Sequence, residues 1–402
     1  MIYSSIALSS IGDFLWIITA ALIFSWVFRK IRLPPILGAI LAGLVLGPSW
    51  LNIIHLNENP LAYQWLIFLG TMGGLILVFL VGLESNLKEI LSFSREGLTV
   101  GFSGMLLSFV IVAGFARFMG VGTIQSLLLG VAMAISSTIP SLTTIVSLRK
   151  GNTRAAKIFS VSSLVDDVFG LLLLFLVINT FSASGVNLVG LAEFLGLLAI
   201  FWVVSLTIIP RISVWAYNYF DYPSEQTTSL LTFIFILIAA IAAEDFFYEA
   251  SFGVFLVGLA FSTLHPLYKY EIKKVFLSLG DMLLFPAFFV MIGLNVDLHV
   301  FSSSYWALFA IGIVIAAIIG KVLAGLIGAW FTRLSTSEGL AVGLSLIPRG
   351  GVSLVIASLA LSKQLISPSL FSSIVLVVIV TILLAPVFSR IGFSRVESKT
   401  TN

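Results

Sequence analysis

The stretch VSSLVDDVFGLLLLFLV (161–177) places two adjacent carboxylates, Asp166 and Asp167, at the head of a run with no other charge. An ionised carboxylate away from water is costly unless it is paired, and an acid within a membrane span marks a candidate site. In a helix that begins near Ala156, at a rise of 1.5 Å per residue, the pair lies about 15 Å from the start, close to mid-membrane. Adjacent helical positions point about 100° apart. The two acids therefore suit different tasks, one open to a cavity and one turned to a protein counter-charge. The chemistry within their reach is the binding of protons or of a small cation. A pair that merely caps a helix at the interface is the plain alternative, and the apolar residues that follow Asp167 argue against it.

Lys321, in IIGKVLAG, is the obvious counter-charge. Its long side chain either snorkels to the interface or reaches an acid on a neighbouring helix across the small residues around it, with Asp166 as the expected partner. Such a pair need not stabilise the fold, because desolvation can cancel the attraction. Its use is switching: low dielectric disfavours both charged forms, so protons and a cation compete for the same carboxylates. Coupled acids then titrate as a unit. Two carboxylates and nearby oxygens could also hold a divalent ion. If Lys321 neutralises one charge, the remaining field suits a monovalent ion such as Na⁺ on Asp167, with oxygens from SSTIP completing the site.

Two Ile-Pro pairs interrupt otherwise apolar segments. Pro140 is flanked by Ser136, Ser137, Thr138 and Ser141, and Pro348 is followed by Arg349, Gly350 and Gly351. Proline removes a backbone donor and clashes with the preceding turn. Each site reads either as a simple kink or as a helix broken at membrane depth, where unpaired backbone groups survive only against protein or a water-filled cavity. Crossed half-helices would offer amino ends to negative charge and carboxyl ends to positive charge. Arg349 reads as a structural balance for those carboxyl ends or as a direct contact to a core acid.

The elements that must carry these residues follow from composition. The 402 residues are 59% hydrophobic and only 10% charged, against roughly 25% charged in an ordinary soluble domain. That describes an all-α polytopic membrane protein embedded in a lipid bilayer. Cysteine is absent, which excludes disulfides and thiolate chemistry, and the three histidines are scattered near predicted loops. No cofactor, haem or zinc site is expected, nor any nucleic-acid partner, since there is no basic stripe. The amino terminus has no cleavage site and reads as a first spanning helix.

Apolar stretches long enough to cross about 30 Å of hydrocarbon number thirteen. With the amino terminus outside and the carboxyl terminus cytoplasmic, most of the 21 Lys and Arg fall in cytoplasmic loops. Arg117 and Lys363 fall on the opposite side, and Lys321 and Arg349 within spans. This is a strong positive-inside signal. Three segment pairs also match in order: LGAILAGLVLG with FGVFLVGLAFS, FLVGLESNL with VMIGLNVDL, and AISSTIPSL with GLSLIPRGG. They predict an inverted repeat of six plus six, with residues 1–180 as the first half, 187–210 as a connecting helix and 227–395 as the second half.

Together PPILGAILAGLVLGP, FLVGLE, SSTIPS, SLVDDVFGLLLL, FFVMIGLNVDL, the Gly-Lys at 320–321 and GLSLIPRGGVSLVIA resemble the bacterial-type cation/proton antiporters of the CPA superfamily, and most of all its CPA2 sodium/proton antiporters. The resemblance covers nearly the whole chain. It implies the sodium/proton antiporter fold, with two crossed broken helices, a homodimer in the cell inner membrane and an elevator cycle. The moving core would be 98–180 plus 304–389, and the remaining helices would form the dimerisation scaffold. It makes Asp167 the principal ion ligand and pairs Asp166 with Lys321. The crossing then carries Ser137, Thr138, Pro140, Pro348 and Arg349. An Asp-Asp pair resembles electrogenic members. Two departures stand out: Gly351 where many relatives have Glu after Arg-Gly, and Ile139 where some carry Asp.

The expected function is secondary active exchange of Na⁺, with Li⁺ as a second cation, for H⁺, and no enzymatic activity. Exchange of K⁺ for H⁺ on the same scaffold is the alternative that the sequence least separates. An organic-anion/sodium symporter could also use crossed broken helices, but a buried acid pair would repel its substrate. A channel fits less well, because no repeated carbonyl filter sequence is present.

Overall fold

In hydrocarbon only a helix satisfies each backbone N–H and C=O within its own segment, and the apolar runs fold accordingly. The computed structural model describes residues 2–31, 33–54, 60–84, 95–151, 153–182, 225–247 and 250–396, with scattered positions between 196 and 219. Among these there is no strand.

The helices in order are α1 (Ile2–Lys30), α2 (Pro35–Leu46), α3 (Pro60–Glu84), α4 (Arg95–Phe118), α5 (Thr123–Ala134), α6 (Thr138–Ser147) and α7 (Arg154–Ser182). Then follow α8 (Glu225–Phe247), α9 (Ala250–Phe261), α10 (Pro266–Leu279), α11 (Phe285–Leu294), α12 (Ser304–Phe331), α13 (Thr336–Ser345), α14 (Gly351–Ser362) and α15 (Pro368–Ser394). Local sequence sets several starts. Ser335 and Glu338 form a capping box at α13. Ser367 caps α15, with Pro368 in the first helical position, where a missing N–H costs nothing.

Two compact units are distinguished. The first holds Met1–Phe68, Ser92–Gly170 and Pro286–Asn402. Within it α4 packs along α12 and α5, α12 along α13 and α15, and α14 along α5. One cluster of its core is filled by Val100, Ile145, Phe159, Leu346 and Phe393, all buried. A Cβ on Gly43 would collide with the Val290 carbonyl, so α2 and α11 pass in backbone contact there. The second unit holds Leu69–Leu91 and Leu171–Phe285. There α8 packs on α9 and α10, the Phe79 ring meets Phe261 and Phe276, and Lys273 pairs with Glu84 at 2.7 Å.

The structure corrects the thirteen-span architecture. Among the described residues seven helices are long and apolar enough to cross a membrane: 64–84, 95–118, 154–178, 227–245, 266–294 (α10 and α11 joined through a π-helical turn at Gly280–Leu284), 304–331 and 368–394. Several stretches read as single spans are not single long helices. The 33–50 and 250–264 stretches each form one helix of 12 residues. The 124–147 stretch divides into helices of 12 and 10 residues, and 337–362 into 10 and 12. Twelve residues reach about 18 Å, short of about 30 Å of hydrocarbon. The count of thirteen and the six-plus-six arrangement built on it therefore give way to an all-α chain with seven long apolar helices and two interrupted ones. The connecting helix expected at 187–210 falls largely outside the described residues.

The interruptions also differ in detail from the Ile-Pro reading. The first lies at Ile135–Ser137, and Pro140 sits inside the first turn of α6, where a helix tolerates proline. The second spans Leu346–Gly350 and does contain Pro348 and Arg349.

Candidate ion site at the helix interruptions

The two interruptions meet within the first unit. The Ser137 N–H donates to the Pro348 carbonyl at 2.7 Å, so each break supplies a partner to the other. Ser141 Oγ donates to the Ser345 carbonyl at 2.7 Å, and Ser136 Oγ lies 2.7 Å from that of Leu346. These hydroxyls occupy carbonyls that the end of α13 leaves without intrahelical donors. The approach depends on Gly350: a Cβ there would lie 2.5 Å from Ser137 Oγ.

Asp166 reaches this crossing from α7. Its carboxylate is fully buried, with Oδ2 at 2.6 Å from Lys321 Nζ and 2.6 Å from Ser136 Oγ. Among the described residues Oδ1 is buried without a hydrogen-bond partner. Lys321 is equally closed to solvent. It enters from α12 where that helix runs against α4 at small residues. A Cβ on Gly320 would sit 2.7 Å from Ser108 Cα, and one on Gly104 would sit 3.5 Å from Lys321 Nζ itself. The ammonium thus occupies a slot that larger residues would close, and does not extend toward an interface.

Arg349 is the largest fully buried side chain among the described residues. Its Nη1 donates toward the carbonyls of Ile135 (3.3 Å) and Leu346 (3.4 Å), and its Nη2 toward that of Ala317 (3.4 Å). The first two carbonyls end α5 and α13, so the guanidinium sits where two helix dipoles place their negative ends. Its backbone N–H donates to Thr381 Oγ1 on α15 at 3.2 Å.

Asp167, one position along α7, is partly exposed and lies within electrostatic range of Lys321. One turn earlier Ser163 Oγ is 2.5 Å from Thr138 Oγ1, which joins α7 to the first turn of α6. Ser137 and Thr138 are also partly exposed. The structure therefore gathers Asp166, Lys321, Arg349, Ser137 and Pro348 at one crossing, with Asp167 and Thr138 beside it, while Pro140 stands in the helix just after it. Sequence reasoning passed over Ser136 as one hydroxyl among several. It also missed Ala317 and Thr381, whose contacts come from remote helices. Hydroxyl density in an apolar segment was the available signal for Ser136; for a backbone carbonyl on α12 there was none.

Two carboxylates, an ammonium and a guanidinium cancel formally. A cation entering such a site leaves one positive charge uncompensated in low dielectric, and loss of a proton removes it. The arrangement can therefore exchange a cation for a proton without any bond chemistry.

The family model described as "Sodium/hydrogen exchanger, transmembrane" matches residues 17–390. This chain belongs to the sodium/hydrogen exchanger family. As a member of it, a monovalent cation/proton antiporter of the CPA superfamily, the exchanger is a multi-pass membrane transporter and not an enzyme. It is 28% identical over 387 residues to a Na⁺/H⁺ antiporter of Enterococcus hirae, covering 94% of this chain and 97% of that one. It is 27% identical over 369 residues to the Na⁺/H⁺-K⁺ antiporter GerN of Bacillus cereus, covering 90% of each. Among solved structures, the sodium proton antiporter MjNhaP1 of Methanocaldococcus jannaschii matches with a TM-score of 0.71 at 18% identity, over 95% of this chain and 99% of that one. That likeness concerns the fold.

Proposed function

We propose that the exchanger moves Na⁺ in return for H⁺ by alternating access, with Asp167 as the cation ligand and the Asp166–Lys321 pair as the proton-coupling element. The observation that carries this is the division of labour between neighbours on α7. Asp166 is sealed against Lys321 at 2.6 Å, whereas Asp167 remains partly exposed one turn after Ser163, whose hydroxyl meets that of Thr138. Sodium entering beside Asp167 weakens the hold of Asp167 on protons and raises the positive charge felt at Lys321. A proton is released, and the reverse order reloads the site. The half-helices beside the acids lend amino-end dipoles to Asp167 and place Arg349 against the carboxyl ends.

The resemblance to CPA2 members supports an electrogenic cycle of the elevator kind in a homodimer of the cell inner membrane. The core would be 98–180 plus 304–389. The distribution of basic residues supports an amino terminus outside and a carboxyl terminus in the cytoplasm. Since the chain has no cysteine, Lys363→Cys should label from the outer side only, and a cysteine placed after Arg395 from the inner side only. A second reading, exchange of K⁺ on the same site, is favoured by the potassium named in the Bacillus cereus relative.

Proteoliposomes holding a pH probe test both readings. Additions of Na⁺, Li⁺ and K⁺ in turn should give a pH change with Na⁺ and Li⁺. A response to K⁺ alone would replace the sodium reading with the potassium one. A voltage dye that stays silent during exchange would remove electrogenicity.

A further inference from the structure

The interruption between α5 and α6 lies along α7 through three contacts. Thr138 Oγ1 meets Ser163 Oγ at 2.5 Å, Ser136 Oγ meets Asp166 Oδ2 at 2.6 Å, and the Ile135 side chain fills the place where Gly170 has none. A Cβ on Gly170 would collide with Ile135 Cγ1 and lie 2.7 Å from its Cδ1. Both residues are buried. Ser163, Asp166 and Gly170 share one face of α7, within about 60° of arc. The contacts run in opposite directions along the two segments, so the interruption is laid antiparallel to α7. Asp167 flanks the same face, four residues after Ser163 and three before Gly170.

The apolar contact is the stiff one of the three. Hydroxyls rotate, whereas a side chain branched at Cβ has few rotamers to choose from. Ile135 is also held through its backbone. It leaves α5 in an extended conformation (φ −80°, ψ 133°), and its carbonyl accepts from Arg349 Nη1 at 3.3 Å. At Gly43, Gly82 and Gly258 the crowding neighbour is the backbone of another helix, which fixes only how closely two helices pass. At Gly170 the neighbour is a side chain of the broken segment itself, so the notch sets where that segment stands against the acid-bearing turn of α7.

We infer that Ile135 and Gly170 are positioning residues that determine cation preference: seated in its notch, Ile135 fixes how closely the oxygens of the first interruption approach Asp167. Selectivity between cations rests on cavity size and on the number and rigidity of the oxygen ligands. A close, rigid spacing suits Na⁺, and a wider one suits the larger K⁺. Neither residue offers a side-chain ligand, and both act through the segment that they hold in place. A tightly packed interior passes such a displacement on instead of absorbing it. The inference rests on the exchange reading above and deepens it, by naming what divides sodium exchange from potassium exchange on this scaffold.

The test follows exchange by the full-length protein in proteoliposomes, titrating Na⁺ and K⁺ separately and reading the ratio of the two half-saturating concentrations. Gly170→Ala drives Ile135 out of the notch and should move that ratio about tenfold toward K⁺. Ile135→Ala empties the notch and should move it in the same direction. The double variant Ile135→Ala/Gly170→Ala should bring it back to within about twofold of the unmodified protein. There the new methyl group would lie 3.7 Å from Cβ of position 135, an ordinary contact. A Gly170→Ala protein that loses rate or melting temperature while the ratio stays put overturns the proposal, because the notch then only packs. A shifted ratio that the double variant leaves shifted also overturns it. If Gly170→Ala does not assemble, the double variant is compared with Ile135→Ala, and equal ratios overturn the proposal. Failure of both proteins carrying Gly170→Ala overturns it as well. Absence of exchange with either cation in the unmodified protein counts against the function proposed above. In that case the ratio is read from the Na⁺ and K⁺ concentrations that raise the melting temperature in detergent, with the same outcomes deciding the notch and indifference to both cations overturning it.

Discussion

Lys321 Nζ lies 2.6 Å from Asp166 Oδ2, and neither side chain has any exposed surface. Removing one partner strands the other as a buried charge, which costs about 3–5 kcal/mol, whereas replacing both with apolar groups is often neutral. Lys321→Ala should therefore lower thermal stability in detergent by that amount. The double variant Asp166→Leu/Lys321→Met should recover most of it while exchanging no cation. Unequal stability of the single variants is allowed. A double variant as unstable as the sum of the singles would show that the pair is not coupled.

Gly350 faces Ser137 with no room for a methyl group: a Cβ would lie 2.5 Å from Oγ and 2.7 Å from Cβ of Ser137. Gly350→Ala should push the interruptions apart, at about 1–3 kcal/mol of overpacking, and reduce the exchange rate about tenfold. Initial rates in proteoliposomes, normalised to inserted protein, read this directly. An unchanged rate would mean that the Ser137–Pro348 hydrogen bond does not position the site.

The slot for Lys321 predicts a contrast between two glycines. Gly320→Ala places its methyl 2.7 Å from the Ser108 backbone and should cost about 1–3 kcal/mol. Gly104→Ala meets Ala324 Cβ at 3.3 Å and the Lys321 ammonium at 3.5 Å, the second a flexible end that can give way. It should cost less than about 1 kcal/mol. Melting curves of the two proteins side by side check the order, and a reversed order would contradict the close passage of α4 and α12.

An exposed ion pair supplies the counter-example. Arg154 donates to Glu96 at 2.8 Å and to the Arg333 carbonyl at 2.9 Å, with nearly half of the arginine side chain in solvent. Glu96→Gln should change stability by no more than about 1 kcal/mol and leave exchange untouched. A large loss of either would give this pair a role that its exposure does not suggest.

The site was more legible in the sequence than the architecture around it. Asp166, Asp167, Lys321 and Arg349 announce themselves because charge in an apolar segment is expensive and rare. Hydropathy alone could not separate an unbroken span from two half-helices. Residues 124–147 are apolar throughout, yet the chain turns at Ile135–Ser137, and the proline that signals trouble lies beyond the turn. The count of thirteen fails for that reason, because apolar length is not helical length. Partners that are remote in sequence were invisible for another reason. Nothing near Ser136 or Arg349 announces the carbonyls of Leu346 and Ala317, which arrive only when helices far apart in the chain are packed together.

The central claim is that Asp167 holds the exchanged cation while Asp166 stays locked to Lys321. Sodium-dependent exchange by Asp167→Asn, measured in proteoliposomes beside the unmodified protein at matched insertion and melting temperature, tests it most directly. The account predicts complete loss of the Na⁺-dependent pH change in a stably folded protein. Exchange that persists with unaltered apparent sodium affinity would contradict it.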